Sequence, residues 1–307
     1  MADNDVATRA PESDAQEAPP QHVPPPAAPG QSVIPGDSIA QQGPTMGEHC
    51  TTDRPSPDGE SPTGELTKLG GVDTYIAKPS DYPHSPSKLL LLLTGGTGVN
   101  SKNNQLQADK YAAEGYLVVM PDQFDNDPAP NTVQLAEAYP EKVLPILHKV
   151  VEGAKEEFAD AVANGGGIYG VGYCFGAKYI LVLAGEHPDT VAWGQEAPKD
   201  EEQGTVKKAP VVKAGAIAHA TSVTKEDLEA VKAPVYIAAV KDDPLFPEEE
   251  ILTPGRRALE KNQVDHEVQI FPGVPHGFAV YGDYEDPKIK QSQAQAYSQM
   301  LGWIQSH

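Results

Sequence analysis

The chain has 307 residues, a formal net charge of −21 and a sequence pI near 4.7, a balance that repels phosphate backbones and excludes nucleic-acid binding without a local basic patch. Residues 1–63 hold 12 of the 30 prolines, 10 acids against 2 bases and no aromatic residue, so they cannot bury enough surface to fold alone. The 244 residues from 64 to 307 contain every Tyr, Phe and Trp and suffice for one sizeable core.

Residues 1–63 therefore read as a disordered, Pro-rich acidic arm, with PPPAAPG at 24–30 and DRPSPDGESPTG at 53–64. Nothing in the arm identifies a protein partner, and its one metal-like cluster, Glu48-His49-Cys50, offers too few soft ligands for a zinc site. The N-terminus is polar and acidic where a secretory signal needs a basic start and an apolar centre. The longest aliphatic stretch, Leu89 to Leu93, is far too short to cross a bilayer, so no membrane partner is expected. Two cysteines, Cys50 and Cys174, then read as free thiols of a cytoplasmic chain.

From Val72 short β-rich runs alternate with helical patterns. The runs are 72–77, 88–93, 116–120, 167–171, 214–220, 233–240 and 266–271, and continuously apolar ones such as KLLLLL at 88–93 suit a sheet buried on both faces. Helices are predicted at about 101–114, 131–164 with a break near Pro140, 175–186, 224–231, 248–263 and 287–306. The fold class is α/β, a mainly parallel central sheet with helices on both faces. The polar stretch 195–208 reads as an exposed insertion loop.

The chemistry concentrates where the run 167–171 meets Gly172-Tyr173-Cys174-Phe175-Gly176 and a helical segment follows. This has the G-x-Nu-x-G form of a nucleophile elbow, with Cys as the nucleophile. A residue at the apex of such a turn takes a strained backbone, and its neighbours two positions away must be small. The helix N-terminus behind Cys174 favours a thiolate. An inert core cysteine beside a Gly-rich turn is the plainer alternative.

Partners follow in the order acid, then base. Lys241-Asp242-Asp243-Pro244 puts a carboxylate at the end of the run 233–240, and Pro275-His276-Gly277 puts an imidazole in a rigid loop after 266–271. His219, in AIAHATS, competes with His276 but better suits a pocket wall, since no acid follows it at short range. Thr94-Gly95-Gly96-Thr97-Gly98, directly after 88–93, can form an oxyanion hole, its second donor being the N–H of Phe175. It lacks the spacing of a phosphate-binding loop.

With these residues in hand, the segment from Gly64 to Trp303 resembles the dienelactone hydrolase family of α/β-hydrolases, especially its fungal members. The resemblance is carried by G-Y-C-F-G at 172–176, K-D-D-P-L-F-P at 241–247, P-H-G-F at 275–278, T-G-G-T-G-V-N at 94–100 and G-Y-L-V-V-M-P-D at 115–122. It implies an α/β-hydrolase fold over residues 64–307 and hydrolysis of small esters or lactones through an acyl-thioester, without metal or organic cofactor. It further implies Cys174 as nucleophile, Asp243 rather than Asp242 as orienting acid, His276 as base, and Gly96 and Phe175 as oxyanion donors. Gly95, Tyr173, His219, Val280 and Tyr281 are expected to line the substrate pocket. Bacterial members carry a Glu where this chain has Gly95, and an Arg that pairs with the substrate carboxylate where it has Val280 followed by Tyr281. Neutral substrates are expected to gain from the second change. A chain with these losses and a long acidic arm has an alternative reading as a binding or interaction module, but a full set of catalytic groups favours the enzyme.

Overall fold

The computed structural model describes residues 52–56, 59–126, 140–188 and 207–307. In chain order these form β1 (Glu65–Leu69), β2 (Val72–Ala77), β3 (Lys88–Leu93), α1 (Lys102–Ala113), β4 (Tyr116–Pro121), α2 (Pro140–Glu157), α3 (Ala159–Gly165), β5 (Ile168–Tyr173) and α4 (Phe175–Leu183). There follow β6 (His187–Pro188), β7 (Lys207–Lys208), β8 (Val212–Ala218), α5 (Lys225–Ala230), β9 (Val235–Val240), a π-helical turn at Glu248–Leu252, α6 (Thr253–Lys261), β10 (His266–Phe271) and α7 (Pro287–Ser306). All seven strands expected from the sequence form.

Eight strands make one sheet in the order β1-β2-β4-β3-β5-β8-β9-β10. The six from β4 to β10 run parallel, while β2 is antiparallel to both β1 and β4. The unbroken apolar run of β3 is explained by the two cores it serves. Leu89, Leu91 and Leu93 enter one core with Leu147, Ile180, Leu228 and Leu259 of α2, α4, α5 and α6. Leu90 and Leu92 enter the other, with Tyr111 of α1 and Ile289, Met300 and Ile304 of α7.

Helix boundaries depart from expectation where local chemistry intervenes. α2 begins at Pro140, tolerates Pro145 in its interior and ends before Phe158, where a further break that the sequence reading did not anticipate separates it from α3. The pattern predicted at 131–139 lies outside the described residues. So do Glu48-His49-Cys50 and most of the 195–208 stretch, of which Lys207 and Lys208 pair with Pro188 and His187. The helix expected at 248–263 opens with the π-helical turn and becomes α-helical at Thr253. Side chains cap three helices: Ser101 at α1, Thr224 with Asp227 in a capping box at α5, and Asp286 ahead of Pro287 at α7. Among the described residues, no helix is long and apolar enough to cross a membrane.

The expected boundary at residues 63 and 64 falls within chain that packs on the domain. Asp53 accepts hydrogen bonds from the Ser101 hydroxyl and, at 2.8 Å, from the Lys102 backbone, thereby joining the cap of α1. The Arg54 guanidinium lies 3.9 Å from the ring centroid of Tyr284, and Pro55 accepts from the Asp283 backbone at 2.7 Å.

Candidate active site

β5 delivers Cys174 to the start of α4 with φ 51 and ψ −114, a conformation few non-glycine residues adopt. Sterics explain the flanking glycines. A Cβ on Gly172 would lie 2.7 Å from the Gly176 carbonyl oxygen, and one on Gly176 would lie 2.3 Å from that of Leu93. Backbone bonds pin the apex to β8 and the loop after it, from Cys174 N–H to Ala218 at 3.1 Å and from Thr221 N–H to Cys174 at 3.2 Å.

Two further loops at the carboxyl ends of parallel strands meet this elbow, where α/β sheets characteristically bind ligands. His276, beyond β10, places Nε2 3.3 Å from Cys174 Sγ, and its Nδ1–H donates to Asp243 Oδ2 at 2.7 Å. Asp243, beyond β9, is fixed in turn by the Leu245 backbone N–H, which donates to Oδ1 at 2.9 Å. Cys174, His276 and Asp243 are all buried. Burial opposes a charge on His276, but the attraction of Asp243 and Cys174 overrides it and pushes the imidazole up to about 10. Asp242 faces the other way, its side chain 80% exposed and 3.8 Å from Lys241.

The Gly-rich loop after β3 is held against the elbow. Thr94 O accepts from Gly176 N–H at 2.9 Å and from Gln123 Nε2 at 2.8 Å, while Asn104 Nδ2 donates to Thr97 Oγ1 and Gly98 O at 2.9 and 2.7 Å. Gly95 and Gly96 line the cleft above Cys174, and a Cβ on Gly95 would come 3.2 Å from the Cys174 Cβ. Phe175 opens α4, its ring packed on Phe124 and Tyr179 with centroids 5.2 Å away in each case. His219 and Val280 also line the cleft, the His219 ring centroid lying 5.1 Å from that of His276.

Two expected pocket residues do not line the cleft. Tyr173 precedes Cys174 on an alternating strand and turns into the α1 side of the sheet, where its hydroxyl lies 2.9 Å from that of Tyr111. Tyr281 is drawn to α1, its backbone N–H donating to Gln107 at 3.0 Å, its hydroxyl donating to Glu60 at 2.5 Å and its ring 4.6 Å from Lys110 Nζ. Sequence reasoning missed Thr52, Asp53 and Arg54, which form one wall of the cleft. The alternation of polar and proline residues there gave no local signal, because the contacts that hold the segment are some 50 to 230 positions away in the chain.

The fold and the cleft define an α/β-hydrolase. The chain belongs to the dienelactone hydrolase family, a class of carboxylic ester hydrolases, whose sequence profile matches residues 72–307. It is similar to the hydrolase pyvD of Aspergillus violaceofuscus, at 31% identity over 80% of this chain and 90% of that protein. It is also similar to dienlactone hydrolase 1 of Gibberella moniliformis, at 29% identity over 79% of this chain and 87% of that protein. The solved structure of P91, a dienelactone hydrolase-like promiscuous phosphotriesterase from metagenomic libraries, shares the fold with a TM-score of 0.55 at 13% identity, over 80% of this chain and 99% of that one.

Proposed function

We propose that this protein hydrolyses small esters or lactones with Cys174 as nucleophile, His276 as proton carrier and Asp243 as the group that orients it. The observation that carries this reading is the continuous relay of Sγ, imidazole and carboxylate, with contacts of 3.3 and 2.7 Å. The buried imidazole, held by Asp243 and 3.3 Å from the sulfur, supports a resting thiolate–imidazolium pair, a route to the thiolate that does not call on the family Glu absent at Gly95.

The thiolate adds to the ester carbonyl, and the oxyanion is received by the N–H groups of Gly96 and Phe175, a contribution of roughly 3–4 kcal/mol per donor. Collapse expels the alkoxide, which takes the proton from His276 and leaves an acyl-thioester on Cys174. Water then loses a proton to the neutral His276 as it adds to the thioester, and the carboxylic acid departs with the thiolate–imidazolium pair restored. A working thiol suits a reducing compartment, and the cytoplasm is the location this reading carries.

The test is hydrolysis of activated acyl esters by the purified full-length protein. Cys174→Ala is expected to abolish turnover while its melting curve stays that of a folded protein. Turnover that survives in a folded Cys174→Ala variant rejects the scheme.

A further inference from the structure

The hydrolysis scheme gives His219 no chemical task. Yet this residue is fully buried at the end of β8 in the same cleft and holds a backbone φ of 37 that few non-glycine residues adopt. One ligand atom each from Cys174, His219 and His276 lies within 4.8 Å of the other two, a convergence of three such side chains found nowhere else among the described residues.

We propose that Cys174, His219 and His276 form a site for a thiolate-binding divalent cation, Zn2+ in the first instance, and that its occupancy switches the hydrolase off reversibly. Zinc prefers a tetrahedron with bonds of about 2.3 Å to sulfur and about 2.0–2.1 Å to imidazole nitrogen, which sets ligand–ligand edges of roughly 3.3–3.6 Å. The 3.3 Å separation of His276 Nε2 from Cys174 Sγ is already such an edge. The wider pairs reach it by closing about 1.5 Å at most, within the range of side-chain torsions.

The surroundings match what such a site requires. Asp243 holds Nδ1 of His276 at 2.7 Å and turns Nε2 toward the sulfur, the carboxylate–histidine arrangement that fixes ring orientation and raises ligand basicity at metal sites. The thiolate and the Asp243 carboxylate balance the two charges of the ion. Asp53 in the cleft wall adds to them, and Arg54 is the wall's one opposing guanidinium. The donor set of one sulfur and two imidazoles selects zinc over magnesium or calcium, which take oxygen ligands.

On binding, the ion accepts one electron pair from Sγ and one from each imidazole. The proton shared by the thiol–imidazole pair leaves to solvent, and nothing is oxidised or reduced. A fourth position is left for water from the cleft. With Sγ and Nε2 both engaged, neither acyl attack nor proton transfer can proceed.

The experiment titrates the full-length protein with Co2+, whose bond to a thiolate gives a charge-transfer absorption, followed by displacement with Zn2+. One equivalent of Co2+ is expected, with the band kept in Cys50→Ala and lost in Cys174→Ala. In His219→Asn, chosen because Asn accepts a left-handed backbone, the dissociation constant should rise roughly tenfold or more. Circular dichroism of each variant separates loss of the site from loss of the fold. X-ray absorption of the wild-type Zn2+ complex, which needs no variant, should count one sulfur and two imidazole nitrogens at the metal. A band that survives in Cys174→Ala, unchanged affinity in a folded His219→Asn, or a metal without imidazole ligands overturns the proposal. None of these readouts involves a substrate, so they stand or fall separately from ester hydrolysis.

Discussion

The Asp243 carboxylate receives the Nδ1–H of His276 at 2.7 Å with both side chains buried, while Asp242, one position earlier, points into solvent toward Lys241. Two adjacent carboxylates thus separate into one that orients an imidazole and one that does not. Asp243→Asn should lower kcat by about a thousandfold, because the ring loses its fixed tautomer and the partner of its charge. Asp242→Asn should stay within about twofold of wild type, since an exposed charge near a single lysine contributes little. Steady-state kinetics on one activated ester check both; equal losses in the two variants would count against the assignment.

The raised titration of His276 predicts an unusual pH response. A free cysteine gains alkylation rate about tenfold per pH unit below its thiol pKa near 8.5. Cys174, paired with an imidazole that stays charged until about pH 10, should react with iodoacetamide at a nearly constant rate from about pH 6 to 9. The same shift bears on stability. With a folded value raised above the unfolded 6.5, the contribution of His276 is fully present below that pH and is lost as pH climbs through about 10. Asp243→Asn should remove most of this dependence, measurable as denaturation midpoints across the alkaline range.

Glycine positions supply a contrast in stability. Gly176→Ala drives a Cβ to 2.3 Å from the Leu93 carbonyl oxygen, a backbone atom that cannot step aside, and should cost about 3 kcal/mol together with the elbow's geometry. Gly302 lies inside α7, and a Cβ added there would meet no atom within 4 Å, so Gly302→Ala should stabilise by up to about 1 kcal/mol through helix propensity. Thermal melts distinguish the two signs.

Arg54, from the N-terminal segment, is among the residues that line the cleft and stacks its guanidinium on Tyr284, whereas Val280, which also lines the cleft, is uncharged. Sequence reasoning did not locate this cation, and it bears on the expected preference for neutral substrates. Arg54→Ala should reduce kcat/KM for carboxylate-bearing lactones more than for neutral ones, by roughly tenfold in the ratio. It should also destabilise modestly through the lost stacking on Tyr284. An unchanged ratio would place the guanidinium outside substrate contact.

What is legible in the chain is legible for local reasons. The elbow announces itself because strand, strained apex and flanking glycines are contiguous at 172–176, and the apolar runs of β3, β4, β5, β8 and β9 state their burial in their composition. Tyr173 reads as a pocket residue only while its neighbour's role is extended to it; the two-residue period of the strand, carried through Cys174, turns it to the opposite side. β1 escapes a reading by composition because four of its five residues are exposed and its pattern is weak, yet Gly70 and Gly71, with φ of 59 and 83, spell a hairpin signal. The packing of Asp53 and Arg54 depends on Ser101, Lys102 and Tyr284, partners that no window of sequence brings together.

The central claim is that an acyl group resides on Cys174 during turnover. Rapid mixing with an activated ester, acid quenching and peptide mass mapping should find a hydroxylamine-labile acyl adduct on the peptide that contains Cys174. An adduct on a different residue, or steady turnover with Cys174 unmodified at every quench time, would contradict the account.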